Sequence, residues 1–232
     1  MLKIKGLEKS TLIDYPNELA CTVFIGGCNF RCPFCYSSEL VIPEKLEKQP
    51  EIDKKEFFDF LKKREGLLTG VVICGGEPTI HSDLKDFIKE IKEKGYKVKL
   101  DTNGSNPKMI QKLIEKDLVD YIAMDVKAPK EKYNKVAGVE VDINKIEKSI
   151  NLLKKSGIDH EFRTTLVPSL LDKEDIVKIG KWIGEGKYYI QKFRGEKTLD
   201  PEFEKVEGYT PEEIGKIKKA VSPFVDECQI RG

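Results

Sequence analysis

Residues 20–35 read Ala-Cys-Thr-Val-Phe-Ile-Gly-Gly-Cys-Asn-Phe-Arg-Cys-Pro-Phe-Cys, an apolar run of strand length that ends in two glycines and passes straight into a cysteine loop. The same phrase, a strand followed by a helix, recurs along the chain. Gly70-Val-Val-Ile-Cys74 runs into Gly75-Gly-Glu-Pro78, after which Ser82 can cap a helix carrying Leu84, Phe87, Ile88 and Ile91 at helical spacing. Before it, Asp53-Lys-Lys-Glu56 has the form of a capping box, with Phe57, Phe60 and Leu61 on one face. Residues 96–100 lead into Asp101-Thr-Asn-Gly104, residues 119–124 into Asp125-Val-Lys127, and residues 160–166 past Pro168 to a helix started by Asp172. Residues 187–193 form the sixth strand, and Thr210-Pro-Glu-Glu213 caps the last helix. Strands separated by crossover helices argue for a parallel sheet, because parallel neighbours need a long connection. The expected class is α/β: a partial (β/α)6 TIM-like barrel with parallel strands. Loops leaving the carboxyl ends of such strands gather on one face, so the four segments after strands are expected to meet there.

The chain has 232 residues, 39% of them hydrophobic, enough for one sizeable core. A single domain is expected, with 1–19 as an N-terminal segment, 20–193 as the barrel core and 194–232 as a C-terminal extension. Charged residues make up 35% of the chain but balance to a net charge of +1, which offers no field for a polyanion, so nucleic acid is not expected as a partner. The start, Met1-Leu-Lys-Ile-Lys-Gly, has no apolar core of a signal sequence, and no apolar run approaches the roughly 18 residues needed to cross a bilayer. These features predict a cytoplasmic protein without a membrane partner. Of the six cysteines, those at 28, 32 and 35 share one loop, which suits metal or redox chemistry in a reducing compartment better than a disulfide framework.

Cys28, Cys32 and Cys35 are spaced so that three thiolates can converge on one cuboidal iron–sulfur cluster. Three ligands for four irons leave one iron open, the arrangement of a metal that must bind substrate rather than only pass electrons. Gly26, Gly27 and the loop amides can donate to cluster sulfurs. The alternative is zinc, which needs a fourth ligand in a structural site. Only His81 and His160 are available, neither at finger-like spacing, while Cys21 and Cys74 read as core and Cys228 as a bystander. His81, just before Ser82, reads as a capping or surface residue rather than a catalytic one.

Cys28-x3-Cys32-x2-Cys35 with Phe34 before the last cysteine, followed by Gly75-Gly-Glu-Pro78, resembles the radical S-adenosylmethionine superfamily. Most of the chain further resembles the glycyl-radical enzyme activating enzymes, and Ser10-Thr-Leu-Ile-Asp-Tyr-Pro16 is similar to the branch that activates anaerobic ribonucleotide reductases. The resemblance implies a [4Fe-4S] cluster on the three cysteines, with S-adenosylmethionine chelating the open iron. Reductive cleavage would then give a 5′-deoxyadenosyl radical that takes a hydrogen atom from a glycine of a partner glycyl-radical enzyme. Flavodoxin or ferredoxin would supply the electron. Gly75 and Gly76 would let backbone approach the methionine amino group, with Glu77 supporting the turn. Asp101, Thr102 and Asp125 resemble positions around a monovalent cation in the type that acts on pyruvate formate-lyase, and Lys127 is placed to meet the cofactor carboxylate. Asn103 can bond a ribose or shape its turn with Gly104. Arg163 can face the cofactor or pair with a carboxylate. Gln191 stands roughly where related enzymes have a histidine near the adenosyl group, and Tyr36 and Ser37 replace a common His-Asn pair. Two other classes stay open: a radical enzyme acting on a small molecule or RNA, and a non-enzymatic iron–sulfur or zinc module.

Overall fold

The computed structural model describes all 232 residues, in two compact units. The first comprises Met1–Asn29, Glu39–Thr102 and Lys108–Ile122; the second comprises Phe30–Ser38, Asn103–Pro107 and Ala123–Gly232.

The first unit carries strands β1 (Ile4–Thr11), β2 (Ala20–Ile25), β3 (Gly70–Gly75) and β4 (Lys97–Thr102), hydrogen-bonded in that order. β1 runs antiparallel to β2, whereas β2, β3 and β4 are parallel, with Ile25 opposite Gly75 at the ends where the cysteine and double-glycine loops begin. Helices α1 (Ser38–Val41), α2 (Pro43–Leu46), α3 (Lys54–Lys63), α4 (Leu84–Glu93) and α5 (Pro107–Glu115) belong to this unit except for the first residue of α1 and of α5. Asp53 caps α3 through the Lys55 amide at 2.7 Å, and the helix buries Phe57, Phe58 and Leu61. Phe58, not the expected Phe60, completes that face, because its ring meets Phe57 and Phe87 at 5.2 and 5.6 Å. α4 starts one residue later than Ser82 predicts. Asp83 takes the cap position, but its carboxylate accepts from the Leu2 amide at 3.0 Å instead.

The second unit carries all but the first two residues of β5 (Tyr121–Asp125), then β6 (Asp159–Leu166), β7 (Lys187–Lys192) and β8 (Glu227–Arg231). β6, β7 and β8 are parallel, with Thr165 opposite Gln191 and Gln191 opposite Arg231. Its helices are α6 (Tyr133–Ala137), α7 (Ile143–Ser156), α8 (Lys173–Ile183) and α9 (Pro211–Val221). Reciprocal capping boxes start α8, between Asp172 and Asp175, and α9, between Thr210 and Glu213. The class is the expected mostly parallel α/β one, with β1 and β8 added to the six strands. Neither was legible as a strand. β1 (Ile-Lys-Gly-Leu-Glu-Lys-Ser-Thr) shifts register twice against β2 and keeps its outer half exposed, and β8 is a five-residue strand with charged ends.

Candidate functional site

The end of β2 and the loop after β3 are locked together by backbone. Gly76 N donates to Ile25 O and Glu77 N to Gly27 O, both at 2.8 Å. A Cβ on Gly76 would lie 2.0 Å from Gly27 O, so this position admits only glycine without moving the chain that leads into Cys28. Glu77 is almost wholly buried at 1% exposure. Its Oε1 accepts from Thr79 N at 3.1 Å, Thr79 Oγ1 at 2.5 Å and Thr102 Oγ1 at 2.7 Å, which satisfies a charge that burial would otherwise penalise. Glu77 thus supports the turn as expected, and Thr102 serves Glu77. His81 neither caps α4 nor stands free on the surface: its Nε2 lies 2.9 Å from Gly26 O, and burial lowers its pKa. Asp101 is held by Lys99, a buried ammonium that sequence reasoning missed. The signal was there, since Lys99 interrupts an apolar strand and shares a face with Asp101 two residues on.

In the second unit Cys32 and Cys35 bracket one turn, closed by Cys35 N donating to Cys32 O at 3.0 Å. Burial pushes the Cys32 thiol up to about 11, with Lys127 pulling down and Cys35 and Asp125 pushing up. Phe34 is buried between the two cysteines in sequence. The loop rests on α6: Arg31 N donates to Ala137 O at 2.8 Å, and Gly138 must be glycine, because a Cβ would meet Arg31 O at 2.1 Å with φ at +69°. Tyr133, fully buried, packs edge-on against Phe30 and accepts from Lys127 N at 3.3 Å. Neither Tyr133 nor Gly138 was legible, since they lie about a hundred residues downstream of the loop they support.

Asp125 joins Arg163, whose Nε donates to Oδ1 at 2.8 Å, to Lys127, whose Nζ donates to Oδ2 at 2.8 Å. Burial opposes both charges, but Arg163 and Lys127 hold the Asp125 carboxyl far below the usual carboxylate range. Asp125 and Cys32 in turn hold Lys127 above the usual lysine range. Arg163 therefore takes the carboxylate partner that was one of its two expectations. Both acids expected around a monovalent cation already have cationic side chains on them, Lys99 on Asp101 and the Arg163–Lys127 pair on Asp125. Asn103 shapes its turn, its Oδ1 accepting from Ser105 N at 3.0 Å. Gln191 lines a cleft of about 440 Å³ with Tyr36, Thr165, Arg194 and Arg231. Tyr36 stacks on Phe193 at 6.2 Å and accepts from Arg194 N at 2.5 Å, so the residue after Cys35 is tied to the end of β7.

The donor set fits an iron–sulfur cluster. No disulfide joins any cysteine, the soft thiols sit in one short loop, and the Lys127 ammonium, whose charge pulls the Cys32 thiol down, suits an anionic thiolate centre.

Comparison with known proteins bears this out at the level of the family. Residues 22–183 match the Radical SAM superfamily. A protein of Methanocaldococcus jannaschii, provisionally named a glycyl-radical enzyme activating enzyme, is 36% identical over an alignment of 238 residues covering 98% of this chain and 95% of the relative. Among solved structures, a domain of pyruvate-formate lyase-activating enzyme from Bacteroides vulgatus superposes with a TM-score of 0.57 at 16% identity, covering 70% of this chain and 99% of that one. Streptococcus suis SuiB bound to its precursor peptide superposes at 0.67 with 14% identity over 88% of this chain, which spans only 46% of SuiB. The structural likenesses show the fold, the partial TIM-like barrel type, and the sequence match shows the family: this chain belongs to the radical SAM superfamily.

Proposed function

We propose that the chain is an activating enzyme whose substrate is a glycine residue of a partner glycyl-radical protein. The observation that carries this reading is the 36% identity to the archaeal relative over nearly the full length of both chains. Cys28, Cys32 and Cys35 would hold a [4Fe-4S] cluster and leave one iron for S-adenosylmethionine. When bound, the pair supplies a 5′-deoxyadenosyl radical, with an electron from a flavodoxin or ferredoxin. The chain's own part is to place and shield that chemistry. Gly75 and Gly76 offer bare backbone with Glu77 bracing the turn, and the Asp125–Lys127–Arg163 group supplies fixed charge that acts on Cys32. Phe34, Asp101, Thr102, Asn103 and Gln191 complete the proposed cofactor-binding set.

The test is anaerobic incubation of the reconstituted enzyme with cofactor, a strong reductant and a candidate glycyl-radical protein. A glycine-centred doublet in the electron spin resonance spectrum is expected. Cofactor cleavage with a silent spectrum for every candidate would move the function to a small-molecule or RNA substrate.

A further inference from the structure

Glu161 of β6 is fully buried, at 0% exposure, and shares a face of the strand with Arg163 two residues on. A carboxylate removed from water needs a cation with good geometry. Arg231 of β8 provides it as a fork: Nη1 to Oε1 at 2.6 Å and Nη2 to Oε2 at 3.0 Å. The Tyr189 ring lies 3.9 Å from the Arg231 guanidinium and steadies it. Arg163 Nη1 stands 4.0 Å from Glu161 Oε1, while its Nε is given to Asp125, and Asp125 in turn holds Lys127. Charges of alternating sign therefore run unbroken from the C-terminal strand to the Lys127 ammonium, whose charge acts on Cys32. Arg163 is the pivot, because it stands between two carboxylates.

We propose that Arg231 is a positioning residue for the cofactor site: by satisfying the buried Glu161 it leaves Arg163 on Asp125, and so sets how much of the Lys127 charge is left for an anionic group at the cysteine loop. This rests on the function proposed above. Without Arg231, the buried Glu161 carboxylate draws in Arg163, whose Nη1 already stands 4.0 Å away. Asp125 then has Lys127 alone, and the pair presents less positive charge. Removing Glu161 together with Arg231 takes away the pull and leaves Arg163 where it was.

Two measurements on the full chain separate this effect from simple damage to β8. In the cofactor-free protein, the Arg163 Nε–H resonance reads the Asp125 bond directly. Arg231→Met should shift it and speed its solvent exchange, and Glu161→Gln with Arg231→Met should restore it. In the reconstituted enzyme, Arg231→Met should weaken S-adenosylmethionine binding about tenfold, the scale of one altered charge-assisted contact, and the double variant should return to within about threefold of the parent. The double variant carries no uncompensated buried charge and so keeps the test open if the single variant folds poorly. An Arg163 resonance unmoved by Arg231→Met would overturn the proposal, as would a double variant that binds cofactor no better than the single one. A parent that binds no cofactor while the resonance behaves as described would instead overturn the proposed function, and the positioning role with it.

Discussion

Replacing Gly76 with alanine should damage the protein severely. The new Cβ would sit 2.0 Å from Gly27 O and 2.6 Å from Gly27 C, where ordinary contact begins at 3.4 Å, and its neighbours are backbone that cannot rotate away. The loop has to retreat. Doing so stretches Gly76 N to Ile25 O and Glu77 N to Gly27 O, both now 2.8 Å. Two buried donors losing their acceptors cost about 1 kcal/mol each or somewhat more, and crowding adds about 1–3 kcal/mol, for a total of about 3–5 kcal/mol. For a chain of this size that lowers the melting temperature by about 6–20 °C. Gly215→Ala is the matched control. It lies in α9 with no atom within 4 Å of a new Cβ and no positive φ, so alanine should raise stability by about 0.5–1 kcal/mol through helix propensity. Thermal unfolding of the cofactor-free protein, followed by circular dichroism, measures both. A Gly76→Ala melting point within about 2 °C of the parent would refute the claim that the loop is sealed against Gly27.

Glu77→Ala should cost about 3 kcal/mol or more, because it strands the donors on Thr79 and Thr102, whereas Glu77→Gln keeps an acceptor and should cost about 1 kcal/mol; urea titration distinguishes them. The Cys32 thiol, raised to about 11, keeps its proton at neutral pH. Folding therefore gains from the neutral thiol below its unfolded value near 9 and loses that gain as pH rises towards 11. In cluster-free protein, alkylation of Cys32, followed by peptide mapping, should climb about tenfold per pH unit through pH 9–10 and level off only near 11. A plateau at pH 8 would contradict its burial. Anaerobic reconstitution of Cys32→Ser should leave no cofactor cleavage, while Cys228→Ser, in the C-terminal strand, should behave as the parent.

The parts that local sequence decides were legible. The apolar run before Cys28 and its echoes at Gly70 and residues 119–124 announced parallel strands, and Asp172 and Thr210 announced helix starts through the side-chain bonds they make. What escaped was set by partners distant in the chain. Phe58 rather than Phe60 faces inward because Phe87 is there to receive it, and Asp83 spends its carboxylate on Leu2 rather than on α4. The same holds at the site. The cysteines, the double glycine and Glu77 are written in adjacent residues. The pairing of Lys99 with Asp101, the seat of the loop on Tyr133 and Gly138, and the Glu161–Arg231 fork depend on strand faces and return loops that no spacing rule displays.

In the proposed site three cysteines hold a cluster with one iron left for the cofactor. Electron spin resonance of the anaerobically reconstituted and reduced protein, recorded before and after S-adenosylmethionine is added, tests it most directly. A [4Fe-4S] signal whose g-values shift on addition of the cofactor is expected. A signal that the cofactor leaves unchanged, or the signature of a mononuclear ion, would contradict it.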